Sequence, residues 1–280
     1  MIVKHNEPLS QYTTFKMGGL CENLYFPENV QDLQELWRLE EPRLLLSGGS
    51  NLLINDEKTF GHVICLRELN HRLEDMGEGR FLVGASVRLQ KLIQFTNQRG
   101  FGGMEYLFSV PALVGGAIVM NAGKGGHGPS ISDYVERVTV FREGKLISLS
   151  REECGFGHRT SSFRPGTDVV YEAEFRFQPG DPVEFEKRRA ERIELCRQKQ
   201  DNSFPNFGTV FCVSSSRIMK LTRFLAGRGG KTGIRYSPKT ANWLLNKGGS
   251  YRDAVKQLEK VKKLHRLLRR ECRQEVIQWE

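Results

Sequence analysis

The stretch Ser47-Gly48-Gly49-Ser50-Asn51 is suited to chemistry that needs no side-chain charge. It follows the run Arg43-Leu44-Leu45-Leu46 and precedes Leu52-Leu53-Ile54. A short strand that enters two adjacent glycines forms a turn whose backbone amides face outward. Such a turn can cradle phosphate oxygens on N–H groups. The same pattern also suits a plain hairpin. A second cluster runs Gly102-Gly103-Met104-Glu105-Tyr106, then Val110-Pro111-Ala112-Leu113-Val114-Gly115-Gly116-Ala117, then Met120-Asn121-Ala122-Gly123. Small residues on a turn entering a helix let a planar or anionic ligand rest against the backbone. They equally suit close packing of a helix on a strand.

Several other signals carry less. Gly230-Lys231-Thr232 ends like a phosphate-binding loop, but Leu225 stands where the first glycine belongs, and Ile218 to Phe224 reads as helix. No G-x-S-x-G elbow is present, so a hydrolase triad lacks its anchor. The six cysteines (21, 65, 154, 196, 212, 272) are scattered singly, with no ligand spacing, which suits reduced thiols and no metal. The histidines at 5, 62, 71, 127, 158 and 265 stand alone, as structural or exposed side chains do. Glu105 and Arg159 could form an ordinary ion pair.

The elements that must position the glycine turns belong to a mixed α+β chain. A helix is expected from Val30 to Leu39 and strands at Arg43 to Leu46, His62 to Leu66 and Phe81 to Val83. An amphipathic helix from Leu89 to Gln98 stops at Gly100. Arg142-Glu143-Gly144 links a hairpin of Val138–Phe141 with Lys145–Leu149. From Val169, alternating Val169, Tyr171, Ala173, Phe175 and Phe177 mark a half-buried strand, and a charged helix spans Val183 to Gln198. Asp201 to Asn206 is the candidate boundary before a C-terminal α+β unit. At 280 residues the chain is long enough for two or three sub-domains. Its start does not open a signal peptide, and no apolar run approaches a membrane span. A net charge of +9 favours an anionic partner: nucleic acid, acidic lipid or a phosphorylated small molecule. The densest basic run, Lys256 to Arg273, carries Val255, Leu258, Val261, Leu264 and Leu268 at helical steps. It reads as one amphipathic helix with a solvated basic face; the alternative is a nucleic-acid-binding helix, though without interleaved aromatics.

Taken in order, Thr13-Thr14-Phe15-Lys16-Met17-Gly18-Gly19, Ser47 to Leu53 and Val110 to Gly123 resemble the UDP-N-acetylenolpyruvoylglucosamine reductase family. The likeness continues through Phe156-Gly157-His158-Arg159-Thr160-Ser161-Ser162-Phe163, Arg197-Gln198-Lys199-Gln200 and Pro205-Asn206-Phe207-Gly208-Thr209-Val210-Phe211. It closes with Ser237-Pro238-Lys239-Thr240-Ala241-Asn242, Asn246-Lys247-Gly248 and Glu275-Val276. The resemblance implies an FAD-binding region of the vanillyl-alcohol-oxidase type in two parts, 1–67 and 68–200. A substrate-binding domain would follow at 201–280, with the segment around Glu275 returning to the active site. It implies non-covalent FAD, NADPH as co-substrate and a UDP-sugar as the small-molecule substrate. The expected protein is cytoplasmic, binds neither membrane nor nucleic acid, and is a monomer or weak oligomer.

The resemblance also assigns residues. Arg159, Thr209 and Glu275 match the family's catalytic arginine, proton donor and carboxylic acid. Cofactor contacts fall on Ser47, Gly48, Gly49, Ser50, Asn51, Leu52, Pro111, Gly115, Gly116, Ala117, Asn121, Gly123 and Arg197. Substrate contacts fall on Lys239, Thr240 and Asn246. Four departures stand out. Thr209 replaces a serine and is stiffer at χ1. Cys212-Val213-Ser214 replaces a run that is often a polar or basic residue, then Arg or Asn, then Pro. Ser109 and Ala112 replace glycines. The short gap from Phe163 to Val169 leaves no room for the insertion of the longer enzymes, which places the chain with the compact subclass. The alternatives are a diverged flavoprotein acting on another nucleotide sugar, or lacking reductase activity, and a basic nucleic-acid-binding protein.

Overall fold

The structure is a computed structural model that describes residues 1–39, 43–125, 128–226 and 233–280. His127 and the Gly230-Lys231-Thr232 triplet lie outside the described residues. The chain divides into two compact units. One comprises Met1–His5, Asn23–Gly48 and Gly61–Cys196; the other comprises Asn6–Glu22, Gly49–Phe60 and Arg197–Glu280. These units differ from the three consecutive segments expected at 1–67, 68–200 and 201–280. Residues 6–22 and 49–60 go with the C-terminal region for a packing reason. Phe15, Met17 and Leu53 are buried in one core with Phe207, Val210, Leu244 and Leu258.

In the first unit a five-stranded antiparallel sheet has the order Lys145–Ser150, Val135–Arg142, Val169–Arg176, Arg80–Gly84, Leu73–Gly77. The hairpin forms as expected, with Lys145 opposite Arg142. In the Val169 strand, Val170, Ala173 and Phe175 are buried with Phe81, Val83, Val138 and Val140, whereas Val169 and Tyr171 face a second cluster with Leu33 and Phe141. A register shift at Tyr171 makes the expected alternation change face there. The helix Leu89–Asn97 covers that core with Leu89, Leu92 and Ile93, and Gly100 at φ +79° ends the turn beyond it. In the smaller sheet of this unit, Leu44–Leu46 pairs in parallel with Phe60–Cys65, which aims the first glycine turn from a strand end. The helix Val30–Leu36 starts at Asn29, whose side chain accepts from the Asp32 N–H at 2.9 Å.

One buried ion pair ties this unit together. Arg142 donates through Nε and Nη2 to the two oxygens of Asp168, both at 2.8 Å, and Arg164 N donates to Asp168 at 2.8 Å. Burial alone would raise the Asp168 pKa, but the Arg142 fork and the Arg164 amide hold it below the ordinary carboxylate value. A depressed folded-state pKa adds stability above the unfolded value and loses it as pH falls through the folded one. Asp168→Asn should therefore cost roughly 3 kcal/mol near neutrality, the range for breaking a buried pair. The difference from wild type should shrink in acid, and thermal melts from pH 7 down to pH 3 would show it.

In the second unit, Ile277–Trp279 runs parallel to Leu52–Ile54, and Phe211–Val213 runs antiparallel to Arg273–Gln274. Two helices, Ser216–Ala226 and Tyr251–Leu267, back these short pairs. The second opens on a reciprocal cap in which Ser250 and Asp253 satisfy each other's backbone N–H groups. The basic run is shorter as helix than its pattern suggests. Ala254, Leu258, Val261 and His265 form the buried stripe, but the helix ends at Leu267 and Leu268 is 52% exposed. Arg269 takes φ +50°, which breaks the helix, and Arg273 belongs to a strand. His265 is fully buried for a local reason: its Nε2 accepts from Ser215 N at 2.9 Å, and Nδ1 lies 2.9 Å from Val261 O. Among the described residues, no helix is long and apolar enough to cross a membrane.

Candidate active site

Each carbonyl of the first glycine turn is held by a donor. Arg67 donates to Ser47 O at 3.4 Å and to Gly48 O at 3.3 Å. Gly49 O accepts from Thr14 N at 3.0 Å. In a trans peptide the C=O and the next N–H point in opposite directions, so the amides of Gly48, Gly49 and Ser50 face the other way. Successive backbone N–H groups on such a turn can hold an anion. Gly49 sits at φ +69°, and a Cβ there would fall on the Tyr12 carbonyl oxygen. Gly48 is different. A Cβ on it would lie 3.5 Å from Leu113 N and 3.6 Å from Pro111 O, which is ordinary contact.

The two glycine clusters meet within the first unit. A Cβ on Gly116 would lie 2.9 Å from Ser47 Oγ, and one on Gly115 would lie 2.8 Å from Ala85 Cβ. The close-packing reading of the second cluster holds at Gly115, whose N donates to Ala85 O at 2.9 Å, and Gly116 approaches the first turn. Pro111 is exposed at the lip of this region, and Ala117 packs inward in the core. Ser109, in place of a glycine, accepts from Arg192 Nε at 2.9 Å and so ties this loop to the helix Pro182–Lys199.

Two glycine replacements separate folding from binding. Gly49→Ala should lower the melting temperature, because a strained left-handed residue costs roughly 1–3 kcal/mol before the clash is counted. Gly48→Ala should melt like wild type yet retain less flavin, because its methyl enters the space between the two loops. Melting curves and flavin content of the two variants check both statements.

Arg159 is displayed on a tight turn. Gly157 and Thr160 exchange backbone hydrogen bonds at 3.0 and 3.3 Å, with His158 and Arg159 between them. Arg159 adopts φ +58°, a conformation that glycine normally supplies. Strain of this kind persists only when the surroundings over-determine it, and here they do. Asn121, itself at φ +41°, donates to Gly157 O at 2.9 Å and accepts from Ser132 N. Arg159 Nη2 donates to Gly123 O at 2.7 Å, and Ser161 Oγ donates to Val119 O at 2.7 Å. Asn121 and Gly123, expected as cofactor contacts, thus brace the arginine turn. Glu105 is held elsewhere: its Oε1 accepts from Asn97 Nδ2 at 2.8 Å and from Gly103 N at 2.9 Å.

In the second unit, Thr209 and Glu275 are brought to one backbone junction. Val210 N donates to Asn242 O at 3.0 Å, and Val210 O accepts from Glu275 N at 2.8 Å. Asn242 also brackets Phe211, donating to its carbonyl at 2.8 Å and accepting from its amide at 3.1 Å. Gly208 at φ +76° turns the chain so that Thr209 is exposed. Asn51 Nδ2 donates to Glu275 O at 3.0 Å, and Asn51 O accepts from Ile277 N. The C-terminal segment therefore returns to the exit of the first glycine turn, where Leu52 continues into the paired strand.

The remaining expected residues are engaged by the protein itself. Lys239 Nζ donates to Arg197 O at 2.8 Å and Thr240 Oγ1 to Lys199 O at 2.7 Å, so both cap the last turn of the helix Pro182–Lys199. The arrangement rests on Ser237, which donates to buried Asp201 at 2.6 Å. Burial opposes ionisation of Asp201, but its hydrogen bonds to Ser203 and Ser237 leave the pKa below the ordinary value. Asn246 donates to Phe15 O at 2.9 Å and accepts from Gly248 N at 2.9 Å, which spends its amide on the backbone. Arg197 is exposed.

The side-chain oxygens of Thr14 and Tyr106 are buried without a hydrogen-bond partner. Thr14 adjoins Gly49 through its own amide. Burial pushes the Tyr106 hydroxyl pKa far above the ordinary value, and the Arg159 guanidinium pulls it the other way. Neither Thr14, Tyr106 nor Asn242 stands out by residue type alone; Thr14 and Asn242 lie inside two of the matched blocks. Among the described residues, no cluster of three or more His, Cys, Asp or Glu is placed to hold a metal.

Residues 22–150 match the FAD binding domain family. The UDP-N-acetylenolpyruvoylglucosamine reductase of Geobacter metallireducens is 33% identical over 256 residues, covering 89% of this chain and 83% of its own. That of Carboxydothermus hydrogenoformans is 34% identical over 270 residues, covering 94% and 88%. The crystal structure of UDP-N-acetylenolpyruvylglucosamine reductase (MurB) from Thermus caldophilus is similar at a TM-score of 0.81 and 27% identity, covering 100% of both chains. The glycine turns, the strained arginine and this likeness along nearly the whole chain agree: the protein belongs to the UDP-N-acetylenolpyruvoylglucosamine reductase family.

Proposed function

We propose that this chain catalyses the NADPH-dependent reduction of UDP-N-acetylenolpyruvoylglucosamine to UDP-N-acetylmuramate through bound FAD, a step in peptidoglycan precursor synthesis, in the cytoplasm. The observation that carries the reading is the glycine turn with its carbonyls drawn onto Arg67 and Thr14. This leaves the amides of Gly48, Gly49 and Ser50 for the FAD diphosphate. The orphaned Thr14 hydroxyl belongs to the residue whose amide holds the Gly49 carbonyl of that turn. Ser47, Gly116 and Pro111 would line the diphosphate.

Bound FAD supplies the hydride carrier between NADPH and the enol ether. The chain's own side chains handle charge and protons. Arg159 stabilises the negative charge that develops at the substrate carboxylate, a role suited to a permanently charged and fixed guanidinium. The Thr209 hydroxyl donates the proton to the carbon beside that carboxylate, and Glu275 holds the proton-delivering side of the site. Lys239, Thr240 and Asn246 contact the substrate, and their hydrogen bonds to Arg197 O, Lys199 O and Phe15 O hold them in place until it binds.

The purified protein should be yellow, and heating should release FAD unchanged because nothing links it covalently. The flavin in the supernatant, identified by chromatography, tests this. A colourless protein that takes up no added FAD would overturn the reading.

A further inference from the structure

Trp243 stands at the base of a hairpin in the second unit. Leu244–Asn246 runs antiparallel to Ile234–Tyr236, with Leu244 opposite Tyr236. One residue before that strand, Trp243 N donates to Thr240 O at 2.9 Å and Trp243 O accepts from Ser237 N at 2.8 Å. The Trp243 backbone is thus spent within its own loop, and the residue is held at 9% exposure.

Thr209 lies directly opposite Trp243 in a single antiparallel bridge. A bond that closes the bridge runs from Val210 N to Asn242 O at 3.0 Å, one residue along on each side. Thr209 and Trp243 are therefore a non-hydrogen-bonded pair, the kind in which facing side chains come closest. Such partners share a face, with Cβ atoms about 4.5–5.5 Å apart. A Cβ on Gly208 would lie 4.0 Å from Trp243 Cζ2, so the indole runs alongside the same short stretch. Thr209 itself is exposed, with this nearly buried ring as its neighbour across the bridge.

Threonine carries a methyl and a hydroxyl on one carbon, and its χ1 is stiff. A hydroxyl turned onto an aromatic ring gives up its hydrogen bonds, whereas a methyl gains by leaving water. The two groups are thereby sorted by the ring. We propose that Trp243 is a positioning residue for the proton donor: its indole takes the Thr209 methyl and so sets the direction in which the hydroxyl points. The proposal rests on the reading of Thr209 as the group that protonates the substrate carbon.

The test is a double-mutant cycle on the flavin-loaded protein, read by single-turnover re-oxidation of the reduced flavin with the enolpyruvyl sugar. Trp243→Ala should slow re-oxidation about three- to tenfold, because a freed χ1 shares three staggered wells. The solvent isotope effect should grow, since proton transfer becomes the slower step, while FAD content and bleaching by NADPH stay as in wild type. Trp243→Phe keeps a ring on the methyl and should recover most of the rate. In a Thr209→Ser background, Trp243→Ala should cost less than about twofold, because serine has no methyl to release and the two sites are coupled. If Trp243→Ala fails to fold, Trp243→Leu keeps the site apolar without the flat ring and replaces it in the same cycle. An equal loss in the wild-type and Thr209→Ser backgrounds, or no loss in either, would overturn the proposal. A Thr209→Val variant that turns over normally would instead remove the proton-donor reading beneath it.

Discussion

Arg159→Ala should retain FAD and be reduced by NADPH, yet lose sugar-dependent re-oxidation by roughly 3 kcal/mol, about a hundredfold or more. In the proposed role the guanidinium meets charge only in the second half-reaction, so its removal should split the two halves. The backbone offers a second handle. Arg159 stands at φ +58°, and Arg159→Gly would relieve strain of roughly 1 kcal/mol while deleting the same charge. The glycine variant should therefore melt above the alanine variant and be equally inactive toward the sugar. Single-turnover absorbance traces of the flavin for the two variants, set beside their melting curves, check both statements. Equal loss of the NADPH and sugar half-reactions would make Arg159 a flavin-holding residue.

Thr209→Val should slow product formation by about two to four orders of magnitude, the range for loss of a general acid. Valine nearly matches threonine in shape, so the Gly208 turn and the Asn242 bracket around Val210 and Phe211 should persist, and flavin content should not change. Thr209→Ser should stay active and can exceed wild type, since a freer χ1 opens the rotamers the family's serine uses. Single-turnover re-oxidation by the enolpyruvyl sugar, with and without a solvent isotope shift to D2O, separates proton donation from binding. A valine variant that turns over normally would move the proton source to another group.

Local structure was legible where a single periodicity sets the answer. The Val169 strand and the helix ending at Gly100 formed within a few residues of the expected bounds, but the strand's alternation changes face at Tyr171, where a bulge set by its partner strand shifts the register. The basic stripe was overextended, because Leu268 keeps helical spacing while the backbone has already turned at Arg269. The glycine turns were legible because a residue without Cβ is the sequence's own record of close approach, as Gly49 against Tyr12 shows.

Side-chain destinations were less legible for a physical reason. Asn51 holds a carbonyl 224 positions away, and Asn246 holds one 231 positions away. An amide's partner is chosen by tertiary placement, and nothing in the residue type distinguishes a ligand from a backbone carbonyl. Lys239 and Thr240 are the same case, since the sequence did not show that they meet carbonyls at the end of a helix. The compact units escaped a linear division because Phe15 and Leu53 belong to a core otherwise made by residues beyond 206.

The central claim is that one flavin site accepts electrons from NADPH and delivers them to an enolpyruvyl sugar nucleotide. Anaerobic stopped-flow of the holoprotein tests it directly. NADPH should bleach the flavin band, and UDP-N-acetylenolpyruvoylglucosamine added next should restore it with UDP-N-acetylmuramate as the stoichiometric product. Flavin that is bleached by NADPH and stays reduced with this substrate, while another nucleotide sugar re-oxidises it, would contradict the account.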